Sequence, residues 1–213
     1  MKKKSIALLM AVVMLFGVTI GGTLAWLTAT TDEVVNTFAP TTVDLILKEH
    51  DYDPSTNTLK TGDDNLVTSE NGYELVPGKT MPKDPFVKVV GGSEKCWVYV
   101  EVTDANNTLD NGKIVNYTVD STKWTQITGT NVYYYKEPVD VSTKANTETS
   151  DPMYVFAGDE TFTNGFVTVN SNLTKDKMPT SALAPTITLK AYAVQYFGWE
   201  DNAVGAWNAT YGV

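Results

Sequence analysis

Residues 83–103 have the sequence KDPFVKVVGGSEKCWVYVEVT, in which two apolar runs lie on either side of a pair of glycines. Lys83–Val90 predicts one β-strand, Gly91-Gly92-Ser93 predicts a turn, and Cys96–Thr103 predicts a second strand. Every second residue from Cys96 to Val102 is apolar, so these side chains share one face. The stretch therefore predicts two successive β-strands, the second with one apolar face.

The pattern of short apolar runs continues on the N-terminal side. Val43, Leu45 and Leu47 alternate with other residues and predict a strand with one buried face. Tyr73–Lys79 predicts a short strand that enters a Pro-Gly turn. Between the two strands, Glu49–Asn71 is rich in Asp, Asn, Thr and Gly and predicts a long polar loop.

Further strands follow on the C-terminal side, separated by Gly, Pro, Asn and Asp. They are predicted at Ile114–Val119, Lys123–Ile127, Val132–Lys136, Met153–Phe156, Gly165–Val169 and Thr186–Phe197, the last with Ile187, Leu189, Ala191 and Ala193 on one face. Trp199–Trp207 predicts a short helix that turns Ala203, Ala206 and Trp207 toward the sheets. Asp140–Asp151 and Asn170–Ser181 are polar connections with room for short helices. Together these patterns predict an all-β fold, an antiparallel jelly-roll-like β-sandwich with a few short helices, as a single domain over residues 41–213.

The N-terminus has the three parts of a secretory signal peptide. Lys2-Lys3-Lys4 is a basic start, Ile6–Ile20 is almost wholly apolar, and Gly21-Gly22 breaks the helix. Thr23-Leu24-Ala25 then places small residues at a cleavage point. Residues 1–25 are therefore predicted to form a cleavable signal helix, cut between Ala25 and Trp26. The alternative is an uncleaved membrane anchor over Ser5–Ala25.

Several motifs resemble the TasA/camelysin family of secreted Gram-positive proteins. Residues 21–28 (GGTLAWLT), Asp32, Asn36-Thr37-Phe38 and Val43-Asp44-Leu45 resemble the family's N-terminal pattern. The later succession of Pro-Gly, Lys-Asp-Pro, strand, Gly and strand is similar as well. The resemblance implies export through a dedicated signal peptidase of the SipW type. It also implies a β-sandwich and an extracellular location, in a biofilm matrix or on the cell surface.

The resemblance also implies a mode of assembly for the segment at residues 26–40. Fibre-forming members of the family exchange a donor strand, in which the N-terminal stretch of one subunit completes a sheet of the next. Thr28–Phe38 would be the donor here, with Val34, Val35 and Phe38 as the side chains that fill pockets. The alternative is that these residues pair within their own domain or stay loose.

Charge limits the partners of the protein. The chain carries a net charge of −9, and loss of the three N-terminal lysines leaves the mature protein near −12. An acidic surface of this kind argues against nucleic acid and anionic lipid as partners. Contact with a membrane is expected only before the signal peptide is cleaved. Cys96 is the single cysteine, and its place in a strand predicts a small buried hydrophobe rather than a reactive thiol.

The sequence offers no catalytic residues. Some camelysin-like proteins are classed as metallopeptidases, but a zinc protease needs two or three imidazoles, and His50 is the only histidine of this chain. His50 is predicted to be a solvated loop residue. No Gly-x-Ser-x-Gly elbow and no phosphate-binding glycine loop is present. The protein is expected not to be an enzyme, and a camelysin-like metallopeptidase is the less favoured alternative.

A calcium site is the better cofactor hypothesis. Oxygen-bearing side chains recur at every second residue in Asp51, Asp53, Ser55 and Asn57, a spacing that resembles half of a calcium loop. Thr56 stands where such a loop has glycine, and no glutamate closes it. The alternatives are a calcium loop and a plain acidic loop with no cofactor.

Seven aromatic residues raise a carbohydrate-binding alternative. They are Trp97, Tyr99, Trp124, Tyr133, Tyr134, Tyr135 and Tyr192. Strands favour aromatic residues in any case, so packing within and on the sheets is the preferred interpretation. The expected function is a structural fibre subunit that binds itself, with an accessory matrix protein as a further partner. A monomeric adhesin or polysaccharide-binding module is the alternative.

Overall fold

Antiparallel strands dominate the computed structural model, which describes residues 42–68 and 71–212. The strands are β1 (Leu45–His50), β2 (Tyr52–Asp53), β3 (Thr58–Leu59), β4 (Leu66–Val67), β5 (Thr80–Pro82), β6 (Phe86–Val89), β7 (Cys96–Ala105), β8 (Val115–Asn116), β9 (Trp124–Gln126), β10 (Val132–Tyr135), β11 (Met153–Tyr154), β12 (Phe166–Val169) and β13 (Thr186–Gln195). Helix α1 (Ala203–Thr210) is the single α-helix of the described residues. The prediction of an all-β fold is confirmed.

The strands form two larger sheets and two smaller ones, and every pairing between named strands is antiparallel. One four-stranded sheet has the order β11-β6-β1-β4 and the other has the order β13-β7-β10-β9. A three-stranded sheet, β5-β12-β8, and the hairpin β2-β3 complete the set. The main core contains β6 and β7 side chains, which come from both larger sheets, and Val87, Val89, Val98 and Val100 in it are fully buried.

Strand β7 is buried on both faces, which explains its nearly continuous apolar sequence. Cys96, Val98, Val100 and Val102 belong to the main core, as the alternation predicted. Trp97 and Tyr99 point the other way, into a second cluster that contains buried residues of α1. The α1 residues that cover this second face come about a hundred positions later in the chain. The alternation within β7 therefore does not reveal what covers the face.

Helix α1 closes this second cluster. It buries Ala203, Ala206 and Trp207, the three residues predicted to face the sheets. The helix begins later than the predicted Trp199 because Asn202 caps it, with its Oδ1 accepting a hydrogen bond from the Gly205 amide at 2.8 Å. Tyr99 donates its hydroxyl to the Ala203 carbonyl at 2.7 Å, which fixes the helix to β7.

The region Glu49–Asn71 is not one long polar loop, so that prediction is wrong. It contains β2, β3, a 3-10 turn at Asp63–Asn65 and β4. Tyr52 is buried and stacks on Tyr73, with ring centres 4.6 Å apart. This long-range contact supplies the apolar burial that the local sequence lacks.

Other predicted elements also differ from the structure. Residues 73–76 have no strand, although the Pro77-Gly78 turn is present, with Gly78 at a φ of 79°. Residues 140–151 hold turns instead of a helix, because the Asp140 side chain accepts a hydrogen bond from the Ser142 amide and favours a turn. Two 3-10 turns, Lys175–Lys177 and Ser181–Leu183, lie in and just after the predicted segment Asn170–Ser181.

Several N-terminal predictions lie outside the described residues. They are the signal helix 1–25, the cleavage point at Ala25 and Trp26, and the donor segment with Val34, Val35 and Phe38. Within residues 42–68 and 71–212, no helix has the length and apolar character needed to cross a membrane.

Candidate functional site

Two strands that line one groove each have an edge without a strand partner among the described residues. In β1, Leu45–Lys48 pairs with β6 on one side, and β4 reaches only Glu49 and His50 on the other. Strand β13 pairs with β7 along its whole length and with no second described strand. Between β1 and β13 lies a groove of about 570 Å³, which we call the edge groove. Free strand edges carry unpaired amide and carbonyl groups that can accept another strand.

The floor of the edge groove is apolar and continuous with the core. Leu47 comes from β1, Leu75 from the segment before β5, and Ile187 and Leu189 from β13. All four are partly buried and pack against the main core. An extended chain that lies along either edge in the groove would therefore place alternate side chains on apolar surface.

One wall of the edge groove contains a buried charged network of Glu49, Asn71 and Lys83. Lys83 Nζ donates to Glu49 Oε2 at 2.6 Å, and Asn71 Nδ2 donates to Glu49 Oε1 at 2.9 Å. Glu49 is 9% exposed and Lys83 is 8% exposed. Lys83 Nζ lies 5.1 Å from the centre of the Tyr73 ring. Burial raises the pKa of Tyr73, and the charge of Glu49 adds to this effect.

His50 belongs to the neighbouring part of the same network, so its prediction as a solvated loop residue is wrong. Its Nδ1 lies 2.7 Å from Asp84 Oδ2, and its backbone amide donates to Asp84 Oδ1 at 3.0 Å. Asp84 is only 2% exposed. Burial raises the pKa of Asp84, although the hydrogen bonds from His50 oppose this shift. The Lys-Asp-Pro motif thus supplies one residue to each of two buried pairs.

The predicted calcium ligands are near one another in the β2–β3 hairpin, but their side chains have separate partners. Asp51 accepts a hydrogen bond from Lys60, and Asp53 accepts from the Ser55 amide at 2.9 Å. Asn57 Oδ1 accepts from the Tyr52 hydroxyl at 2.8 Å. Among the described residues, no group of three or more His, Cys, Asp or Glu side chains is placed to hold a metal. Calcium binding stays a prediction.

The aromatic residues are divided between the two faces of one sheet. Tyr133 and Tyr135 pack against the main core, and Tyr134 packs against the second cluster, as alternation along the strand predicted. The three large rings Trp97, Tyr99 and Trp124 are buried and therefore do not form an exposed carbohydrate platform.

The prediction for the single cysteine is confirmed. Cys96 is completely buried, and burial raises the pKa of its thiol to about 12. It packs in the main core as a small hydrophobe.

Searches for matching family models, curated proteins and solved structures gave no match to this chain. The site is thus defined by its own geometry. Sequence reasoning missed the network of Glu49, Asn71 and Lys83. The signal that could have revealed it is the Lys-Asp-Pro motif, which places two charged residues directly before a buried strand.

Proposed function

We propose that this protein is a secreted, non-catalytic structural subunit of extracellular fibres, assembled by donor-strand exchange. After cleavage between Ala25 and Trp26, the segment Thr28–Phe38 of one copy lies in the edge groove of the next. The observation that carries this proposal is the groove itself, which has an apolar floor and two strand edges without described partners. The finer jelly-roll arrangement of the sandwich is part of the same proposal.

The chemistry of the groove suits an extended apolar segment. Backbone groups of the incoming strand would pair with one free edge, that of β1 or that of β13, which gives affinity without sequence preference. Alternate side chains would reach the floor, and Val34, Val35 and Phe38 are the apolar candidates for that contact. Specificity then comes from the match between these side chains and the floor.

The donor is long enough for the groove. Thr28–Phe38, fully extended, spans about 36 Å. The part of β13 that lines the edge groove, Thr186–Leu189, spans about 13 Å. A donor that leaves its own copy and enters the next makes a head-to-tail contact, and such contacts propagate as filaments when they do not close into rings.

The proposal is tested by removing each half of the contact separately. Deletion of Trp26–Phe38 removes the donor, and Ile187→Lys places a charge on the groove floor. Both variants are expected to remain folded by circular dichroism and to form no filaments in negative-stain electron microscopy. Lys190→Ala is the control, because Lys190 is exposed on the same strand and does not line the groove.

Two outcomes would contradict the proposal. Filaments that persist after the donor deletion would exclude the N-terminal segment as the donor. A wild-type mature protein that stays monomeric and binds wall polysaccharide in a pull-down would favour the adhesin alternative instead.

A further inference from the structure

The network on the groove wall has the composition and geometry of a covalent cross-linking site. We propose that Lys83 Nζ and Asn71 Cγ become joined by an intramolecular isopeptide bond, with Glu49 as the catalytic proton carrier. This inference is independent of the fibre proposal, because it concerns contacts within one chain.

Glu49 brings the two reacting side chains together. The Lys83 ammonium and the Asn71 amide each donate to a different oxygen of its carboxylate, at 2.6 Å and 2.9 Å. Because one carboxylate binds both, the ammonium and the amide are held on the same group, which reduces the entropic cost of bringing them together. The burial of Glu49 and Lys83 excludes the water that would otherwise solvate both charges.

The reaction also needs a donor to the carbonyl oxygen of the amide and an acceptor for the leaving nitrogen, and other contacts of Asn71 supply both. Its Oδ1 accepts a hydrogen bond from the Tyr52 amide at 3.2 Å, and this donor would stabilise the negative charge that develops on that oxygen. Its Nδ2 also donates to the His50 carbonyl at 2.9 Å, so the leaving nitrogen already has an acceptor. Nucleophile, base, oxyanion donor and leaving-group acceptor are thus all present.

The reaction balances without any further reagent. Glu49 takes one proton from the Lys83 ammonium, which neutralises two buried charges. The free amine attacks Asn71 Cγ, and a C–N bond forms. The proton on Glu49 then passes to the amide nitrogen as its bond to Cγ breaks, and Glu49 takes the second proton from the Lys83 nitrogen. This proton then passes to the released ammonia, so the products are a secondary amide and one ammonium ion, and Glu49 is again a carboxylate.

A second set of one carboxylate, one lysine and one asparagine serves as an internal comparison. Asp104 accepts hydrogen bonds from Lys113 at 2.6 Å and from Asn107 at 3.0 Å. The Lys113 side chain is 45% exposed, compared with 10% for Lys83. Water can solvate the exposed ammonium and stabilise its charged form, so no cross-link is expected at Lys113.

Mass spectrometry of a proteolytic digest of the full chain tests the proposal. The expected result is a branched peptide that joins Asn71 to Lys83 and is lighter by one ammonia than its two linear components. Trypsin is also expected not to cleave after Lys83. Recovery of only linear peptides around both residues would overturn the proposal.

The design must separate the cross-link from succinimide formation, because Asn71-Gly72 could also lose ammonia by attack of the backbone nitrogen. Lys83→Arg keeps the positive charge but removes the amine nucleophile, so the loss of ammonia at Asn71 should disappear. Gly72→Ala hinders the backbone attack, and an added Cβ at this position meets no atom within 4 Å. The branched peptide should persist in Gly72→Ala. Loss of ammonia at Asn71 in Lys83→Arg, without a branched peptide in the wild type, would identify the succinimide and overturn the proposal.

Glu49→Gln tests the proton carrier. It preserves the shape of the side chain and removes the base, so the expected product is the uncrosslinked chain, with separate linear peptides. Circular dichroism checks that this variant is folded. A branched peptide that forms in folded Glu49→Gln as completely as in the wild type would contradict the role assigned to Glu49.

Discussion

Cys96 shows how burial controls the chemistry of a single residue. Its thiol is completely buried, and its pKa is raised to about 12 because the thiolate would lose solvation. The folded protein is therefore expected to react with a thiol reagent at least tenfold more slowly than the denatured protein at neutral pH. Labelling for a series of fixed times, with and without denaturant, measures the ratio of the two reaction rates. Equal rates in a chain shown to be folded would contradict the buried position.

Asp104 gives a prediction about acid sensitivity. Burial raises its pKa, but hydrogen bonds from Lys113, Tyr117 and Asn107 outweigh this effect, so the pKa lies below the usual 3.8. The ionised form therefore stabilises the fold above pH 3.8, and this contribution is lost as the pH falls below that value. Asp104→Asn is expected to lower the free energy of unfolding by about 1.5 kcal/mol at pH 7. Urea denaturation at pH 7 and pH 3 measures the difference, which should shrink at pH 3.

Asp151→Asn is the control for this prediction, because Asp151 is exposed. It should change the free energy of unfolding by less than about 0.5 kcal/mol at either pH. A cost for Asp104→Asn that is the same at pH 7 and pH 3 would contradict the assigned charge interaction.

The partners of individual polar residues were the hardest feature to predict. His50 looked like a solvated residue in a polar loop, but Asp84, thirty-four positions later, holds its ring. The alternation of apolar residues shows which face of a strand is buried. It does not show which distant polar groups meet, because that depends on the packing of separate sheets.

At the scale of elements, α1 depends on its cap and on the aromatic residues beneath it. The Asn202 side chain satisfies the Gly205 amide at the start of the helix. Asn202→Ala is therefore expected to lower the free energy of unfolding by about 1 kcal/mol. Asn208→Ala is the matched control, because Asn208 is exposed within the same helix and alanine favours helices. Chemical denaturation of both variants is the measurement, and equal effects would contradict the capping role.

Strands with a long apolar alternation were predicted well, and short ones were not. β7 and β13 have 10 residues each, and both were located from sequence. β2 and β3 have only 2 residues each, which is too short for any periodicity to be visible. Their hairpin depends on the burial of Tyr52 and its stacking on Tyr73, and these are tertiary contacts.

At the scale of the whole molecule, the edge groove could not be predicted from sequence. Its floor comes from residues as far apart as Leu47 and Leu189, and it exists because β1 and β13 belong to different sheets. Of the floor residues, Leu47, Ile187 and Leu189 were predicted to lie on a buried face by alternation, and Leu75 was not. That they flank two edges without a described strand partner follows only from the arrangement of the strands.

Donor-strand exchange is tested by mixing two variants, each of which lacks one half of the proposed contact. The chain without Trp26–Phe38 retains only the acceptor groove, and Ile187→Lys retains only the donor segment. Each alone is expected to stay monomeric by size-exclusion chromatography with light scattering. The mixture is expected to form heterodimers and no filaments, because neither chain can continue growth. Failure of the mixture to form any complex, with both chains folded, would contradict donor-strand exchange through the edge groove.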